Sequence, residues 1–184
     1  LLIFIKVISS GFYLWSDSSY SVQPYPTPPG IVCEVTGMDY DTNGTLYICT
    51  RRGDVWAERD GKWNRYAHGL HEPMGLLARQ EFVWVTQRPE VTMLADEDRD
   101  GIADKYETIN NEFAMEANFH QYNYGLVEGK ITDSLHGILS CSGLSKPDGS
   151  PASAFGFSPI PYRMWSYQIT SKGDFRPWSS GLRT

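Results

Sequence analysis

From residue 35 onward, short β-rich runs alternate with clusters of turn-forming residues, and no segment keeps an apolar stripe at helical spacing. The pattern predicts strands over 35–40, 45–50, 54–58 and 62–68. Asp41-Thr42-Asn43-Gly44, Arg51-Arg52-Gly53 and Asp60-Gly61 supply the turns, because Gly and Asn accept the left-handed backbone that tight turns require. The same plan recurs over 74–79, 82–87, 90–95 and 105–110. A third copy begins near Tyr124, is split by a Ser/Gly/Pro-rich stretch over 141–161, and resumes over 165–170 and 175–179 across a Lys172-Gly173 turn.

The copies share their junctions as well as their strands. Met74-Gly75-Leu76 follows Thr36-Gly37-Met38 at a shift of 38, and Glu90-Val91 follows Asp54-Val55 at a shift of 36. Gly69-Leu70-His71 closes the first copy as Gly181-Leu182-Arg183 closes the third. Four-stranded meanders at a period of roughly 40 residues mark propeller blades; a plain antiparallel sandwich, the competing architecture, need not repeat its junctions. The expected fold is therefore all-β: a β-propeller fragment of about three four-stranded blades, spanning about 31–70, 71–119 and 120–184. Rings hold roughly four to eight blades, so the expectation is part of a longer protein or a chain completed by partner copies.

Composition narrows the reading. The 184 residues are 41% hydrophobic and 21% charged, which excludes a disordered chain. A net charge of −6 argues against a nucleic-acid partner. No run approaches the ~20 apolar residues of a membrane span. Residues 1–30 read as a secretory-signal remnant or linker: residues 1–5 are apolar, and Pro24, Pro26, Pro28 and Pro29 favour an extended linker over 18–30. An ordinary first strand is the other reading of the start. Cys33, Cys49 and Cys141 show no metal-type pairing; a Cys33–Cys49 bridge and buried free thiols both fit. Asn43-Gly44-Thr45 matches a glycosylation acceptor and equally a tight turn.

Blade topology places candidate chemistry. The loop leaving strand four and the loop joining strands two and three lie on one face, near the ring axis. The first kind of loop carries His71, His120 and Arg183; the second carries Arg51, Arg52, Gln87 and Arg88. The expectation is a polar, cationic pocket at a channel mouth, in which a histidine near an arginine serves as a base beside an anionic cofactor. His68 and His136 read as structural.

The sharpest local motif is the loop over 96–107. Asp96, Asp98, Asp100, Asp104 and Glu107 occupy positions one, three, five, nine and twelve, Gly101 the sixth, and Ile102 the seventh, where a backbone carbonyl contributes. That spacing wraps hard oxygens around one Ca²⁺. Its flanks read as strands, so the expectation is a structural Ca²⁺ loop on a β-hairpin, on the face opposite the pocket. Six acids against Arg99 and Lys105 also concentrate most of the negative charge there.

Gly69-Leu70-His71-Glu72-Pro73-Met74-Gly75-Leu76, Val85-Thr86-Gln87-Arg88-Pro89-Glu90, the acidic loop and residues 165–183 resemble a family of bacterial membrane-bound dehydrogenase domains. That family is related to the quinoprotein glucose/sorbosone dehydrogenase propellers. The resemblance covers about residues 30–184. It implies a six-bladed propeller, periplasmic or extracellular and membrane-associated. It further implies pyrroloquinoline quinone (PQQ) over the channel mouth, a sugar or alcohol substrate, and a cytochrome c domain elsewhere in the full-length protein. Asn118-Phe119-His120-Gln121 is similar to the segment holding the catalytic base, which makes His120 the candidate base. Gly181-Leu182-Arg183 is similar to the Gly-x-Arg motif that binds cofactor carboxylates, which makes Arg183 a cofactor ligand, with Arg88 or Gln87 assisting and His71 or Glu72 at a polar position lining the same site. The alternative is a non-catalytic, calcium-stabilised propeller binding glycans or protein at the cell surface. A lactonase-like hydrolase would need acids or Asn at the blade exits, where His and Arg stand instead.

Overall fold

The computed structural model describes residues 2–7, 20–79, 81–112, 121–129, 134–140, 162, 165–170 and 172–180. The chain divides into residues 1–33 and 34–184. In the first unit, β1 (Leu2–Val7) pairs antiparallel with β2 (Tyr20–Tyr25), Leu2 opposite Tyr25 and Val7 opposite Tyr20. Part of the stretch expected as a linker is thus a strand.

The second unit holds three antiparallel sheets among the described residues, each with its four strands in chain order. The first comprises β3 (Val35–Tyr40), β4 (Leu46–Thr50), β5 (Val55–Arg59) and β6 (Lys62–Ala67). The second comprises β7 (Gly75–Ala78), β8 (Val83–Thr86), β9 (Val91–Ala95) and β10 (Lys105–Asn110). The third comprises β11 (Tyr122–Glu128), β12 (Ser134–Ser140), β13 (Trp165–Thr170) and β14 (Phe175–Ser180). Among the described residues no helix is long and apolar enough to cross a membrane.

The middle sheet shows how the alternation of side chains builds this arrangement. β7 and β8 are buried at every position, because their sheet is covered on both faces. Leu76, Ala78, Val83, Val85 and Leu94 pack with Cys49, Val55, Ala57 and Tyr66 of the first sheet. The intervening residues Leu77, Trp84, Val91 and Met93 pack with Leu126, Leu135, Leu139, Tyr167 and Ile169 of the third. A strand's period of two thus supplies both cores from one sheet. Each fully buried Leu, Val or Ile contributes about 1.5–3 kcal/mol.

The first strands of the three sheets lie side by side, β7 against both β3 and β11. Glycines permit that approach. A Cβ on Gly75 would overlap the carbonyl oxygen of Gly125, and one on Gly37 would stand 2.9 Å from the Leu76 nitrogen. Hydroxyls add bridges between the sheets: Thr36 Oγ1 donates to the Pro73 carbonyl just before β7 at 2.5 Å, and Thr86 Oγ1 of β8 to the Gly125 carbonyl of β11 at 3.1 Å. Arg79 ties their far ends, pairing with Asp39 at 3.6 Å and with Glu128. Successive four-stranded meanders packed face to face, inner strand beside inner strand, are propeller blades. The chain is an all-β propeller fragment.

Candidate functional site

The loops predicted to share a face do meet. Glu72, in the loop from β6 to β7, sits in the left-handed region at φ 43°. Its carboxylate receives Arg88 Nη1 at 2.7 Å and lies 3.5 Å from Arg51 Nε. Arg88 comes from the β8–β9 loop and Arg51 from the β4–β5 loop. Arg88 Nε also donates to the Gln121 carbonyl at 3.0 Å, and its guanidinium lies over the Tyr122 ring at 5.2 Å. Arg51 Nη2 reaches the Tyr122 hydroxyl at 3.3 Å. One carboxylate therefore holds arginines from two sheets, and those arginines reach the third.

The predicted cofactor-binding residues take distinct positions around it. His71 is exposed, and its backbone carbonyl accepts the Arg88 N–H at 3.0 Å. Gln87 is buried; its Oε1 accepts the His71 N–H at 2.5 Å, while its Nε2 donates to Glu90 Oε1 at 3.0 Å and Thr92 Oγ1 at 2.7 Å. Both amide donors of Gln87 are thus spent inside the fold. The side chain of Arg88 is only 15% exposed, and its cation is held by Glu72. Gln87 and Arg88 hold these loops together, whereas His71 and Arg51 present polar groups at their surface. Arg52 pairs with Glu34 at 3.2 Å. The cationic face expected from the loop sequences is largely neutralised by these carboxylates. His120, the candidate base, and Arg183, the candidate cofactor ligand, lie outside the described residues.

Beneath these loops, Asn123 Nδ2 donates to the Gln87 carbonyl at 3.3 Å, and the Tyr167 hydroxyl donates to Asn123 Oδ1 at 2.5 Å. Both side chains are fully buried, and burial pushes the Tyr167 phenol well above its ordinary range, with the Asn123 contact acting the other way. Neither residue stood out in the sequence. The one signal for Asn123 is its place two residues before the inner-strand Gly125, a position held by Val35 and Pro73 in the earlier copies.

The acidic loop lies between β9 and β10, at the opposite end of the sheets. Side-chain oxygens of Asp96, Asp98 and Asp104 fall within 4.8 Å of one another. Asp96 also accepts the Asp100 and Gly101 N–H groups at 3.2 and 2.9 Å, and Asp104 those of Glu97 and Asp98 at 2.9 and 3.2 Å. The left-handed Arg99 (φ 65°) and Gly101 (φ 92°) make the turn. At Asp98 the Asp100 amide lowers the carboxyl's pKa. Desolvation and the charges of Asp100, Asp104 and Asp96 outweigh it, so the net displacement is upward. Two predicted ligands are engaged elsewhere: Asp100 Oδ1 accepts the Ile102 N–H at 2.8 Å, and Glu107 pairs with Lys105 at 2.7 Å. The first blade buttresses the loop, with Asn64 Nδ2 donating to the Gly101 carbonyl at 2.5 Å and the Ala103 N–H to the Tyr66 carbonyl at 2.8 Å. An all-oxygen, all-carboxylate donor set suits a hard cation such as Ca²⁺.

Cys33 and Cys49 are both free thiols, and Cys141 lies outside the described residues. No protein-family model matches the chain, and no curated protein matches it. Among solved structures, the chain is similar to virginiamycin B lyase from Staphylococcus aureus at 16% identity and a TM-score of 0.42. That match covers 79% of this chain and 55% of the lyase, so the chain spans about half the length of that protein. It is also similar to the computationally designed Ika4 protein at 10% identity and a TM-score of 0.43, over 84% of this chain and 96% of that one.

Proposed function

We propose that the chain forms blades of a larger ring whose exit face is the mouth of a quinoprotein-type sugar or alcohol dehydrogenase. The observation that carries the reading is the junction at which Glu72 pairs with Arg51 and Arg88 of the first two blades and these arginines reach Gln121 and Tyr122 of the third, with His71 beside them. It agrees with the family resemblance over residues 30–184. The exposed donors fit an anionic quinone: a guanidinium that is half exposed and an exposed imidazole suit the carboxylates of PQQ. Arg51 and His71, with Arg183, would hold that group, while Arg88 and Gln87 keep the loops in place. His120 would take the substrate's hydroxyl proton. When bound, the quinone supplies the hydride acceptor. Ca²⁺ at Asp96, Asp98 and Asp104 would be structural. The protein would work in the periplasm or outside the cell, at the membrane, with electrons leaving through a cytochrome c domain. The test is reconstitution of the full-length protein with PQQ and Ca²⁺, followed by dye reduction with aldoses and simple alcohols. Turnover lost in a His120→Ala variant is expected; a folded, Ca²⁺-loaded protein with no turnover overturns the reading.

A second reading is a non-catalytic, calcium-stabilised propeller that binds glycans or protein at the cell surface. It is favoured by the pairing of Arg51 and Arg88 with Glu72, and of Arg52 with Glu34, which leaves little net charge at the mouth to draw an anionic cofactor. Retention on a glycan matrix without any PQQ binding would select it.

A further inference from the structure

A cleft of about 570 Å³ opens at the turn end of the first two blades, away from the mouth. Its walls include Asn43 of the β3–β4 turn, Tyr47 of β4, Tyr66 of β6 and Phe82 ahead of β8, with Glu81 and Arg99 also lining it. The volume is that of a small-molecule pocket.

Two features show what it would accept. Tyr66 is only 4% exposed and Tyr47 is half-buried, yet both hydroxyls reach solvent, and among the described residues neither has a hydrogen-bond partner in the protein. These two hydroxyls leave hydrogen-bonding capacity open at the cleft. The rings of the two tyrosines meet edge to face at 5.2 Å, which fixes them as rigid walls. Charge sets the second condition. Arg79, which also lines the cleft, is committed to Asp39 and Glu128, and the remaining lining cation, Arg99, shares the cleft with Glu81, Asp96 and Glu97. That balance repels anions. Rigid aromatic walls, open phenol hydroxyls, an amide and a carboxylate excess match the alternating C–H faces and hydroxyls of an uncharged sugar.

We infer that this cleft binds a neutral saccharide unit, at a site separate from the mouth and independent of the dehydrogenase reading. The test is titration of the full-length protein with glucose, galactose, mannose and glucuronate, read by ligand-observed NMR. At least one neutral hexose is expected to bind, and glucuronate at least several-fold more weakly. Tyr66→Phe removes no hydrogen bond of the protein, so it should leave the melting temperature unchanged and weaken hexose binding by roughly tenfold, the usual effect of losing one buried hydrogen bond to a ligand. Asn43→Ala, in an exposed turn, provides a second probe with the same expected direction. Absence of hexose binding overturns the inference. So does equal affinity for glucuronate, and so does unchanged hexose affinity in both variants, which would place the sugar elsewhere.

Discussion

Gly75 carries the tightest steric demand among the described glycines. Its missing Cβ is what lets β7 lie against the backbone of β11, where the obstructing atoms are a carbonyl oxygen and carbon that cannot move aside. Gly75→Ala should therefore cost at least about 3 kcal/mol, the upper range for overpacking, measured by urea denaturation. Gly44→Ala is the control: nothing stands within 4 Å of its Cβ, and only the φ of 83° is strained, so a loss of about 1 kcal/mol is expected. Cys49, fully buried beside Gly37, offers a pH test. Burial pushes its thiol up to about 12 from 9.0. The folded chain thus keeps a proton that the unfolded chain loses, so stability holds below pH 9.0 and falls from there towards about 12. Cys49→Ala should flatten part of that alkaline limb, and brief alkylation near neutrality should leave Cys49 unmodified in the native protein.

At the scale of elements, the strands and turns were legible because their cues are local: Gly and Asn at the turns, β-rich runs between them. The acidic loop was legible only in part. Its spacing marked Asp96, Asp98 and Asp104, which do converge. Glu107 does not join them, because the loop closes into a hairpin: Lys105 pairs with Ala95 and Glu107 with Met93. A helix after the loop would turn a twelfth-position carboxylate back toward the ion; a strand ladder holds it out along the sheet beside Lys105. If three clustered carboxylates bind Ca²⁺, the ion stabilises the fold by mass action, about 2.7 kcal/mol at a hundredfold excess over Kd. Adding a chelator should lower the melting temperature, Ca²⁺ should restore it, and Asp98→Asn should abolish the response. A melting temperature indifferent to Ca²⁺ contradicts the assignment.

At the scale of the molecule, the repeat in the sequence foretold the blades because each blade is a copy of one local plan. The contacts between blades were not foretold. Glu72 gathering Arg51 and Arg88, and Arg79 spanning Asp39 and Glu128, join residues far apart in sequence that only the stacking of sheets brings together. That is why the loop sequences suggested a cationic mouth, whereas the folded chain balances its guanidiniums against carboxylates. It also separates two kinds of arginine. Arg88 is largely buried and holds the loops, so Arg88→Ala should destabilise the fold; Arg51 is half exposed, so Arg51→Ala should spare the fold and act on ligand binding.

The measurement that bears most directly on the proposed dehydrogenase mouth is a titration of the full-length, Ca²⁺-loaded protein with PQQ, followed by the quinone's absorbance. The account predicts saturable binding at one site per chain, weakened by roughly tenfold in Arg51→Ala as a charge-assisted contact is lost, with the variant's melting temperature unchanged. A folded, Ca²⁺-loaded protein that leaves the quinone spectrum unaltered would contradict it.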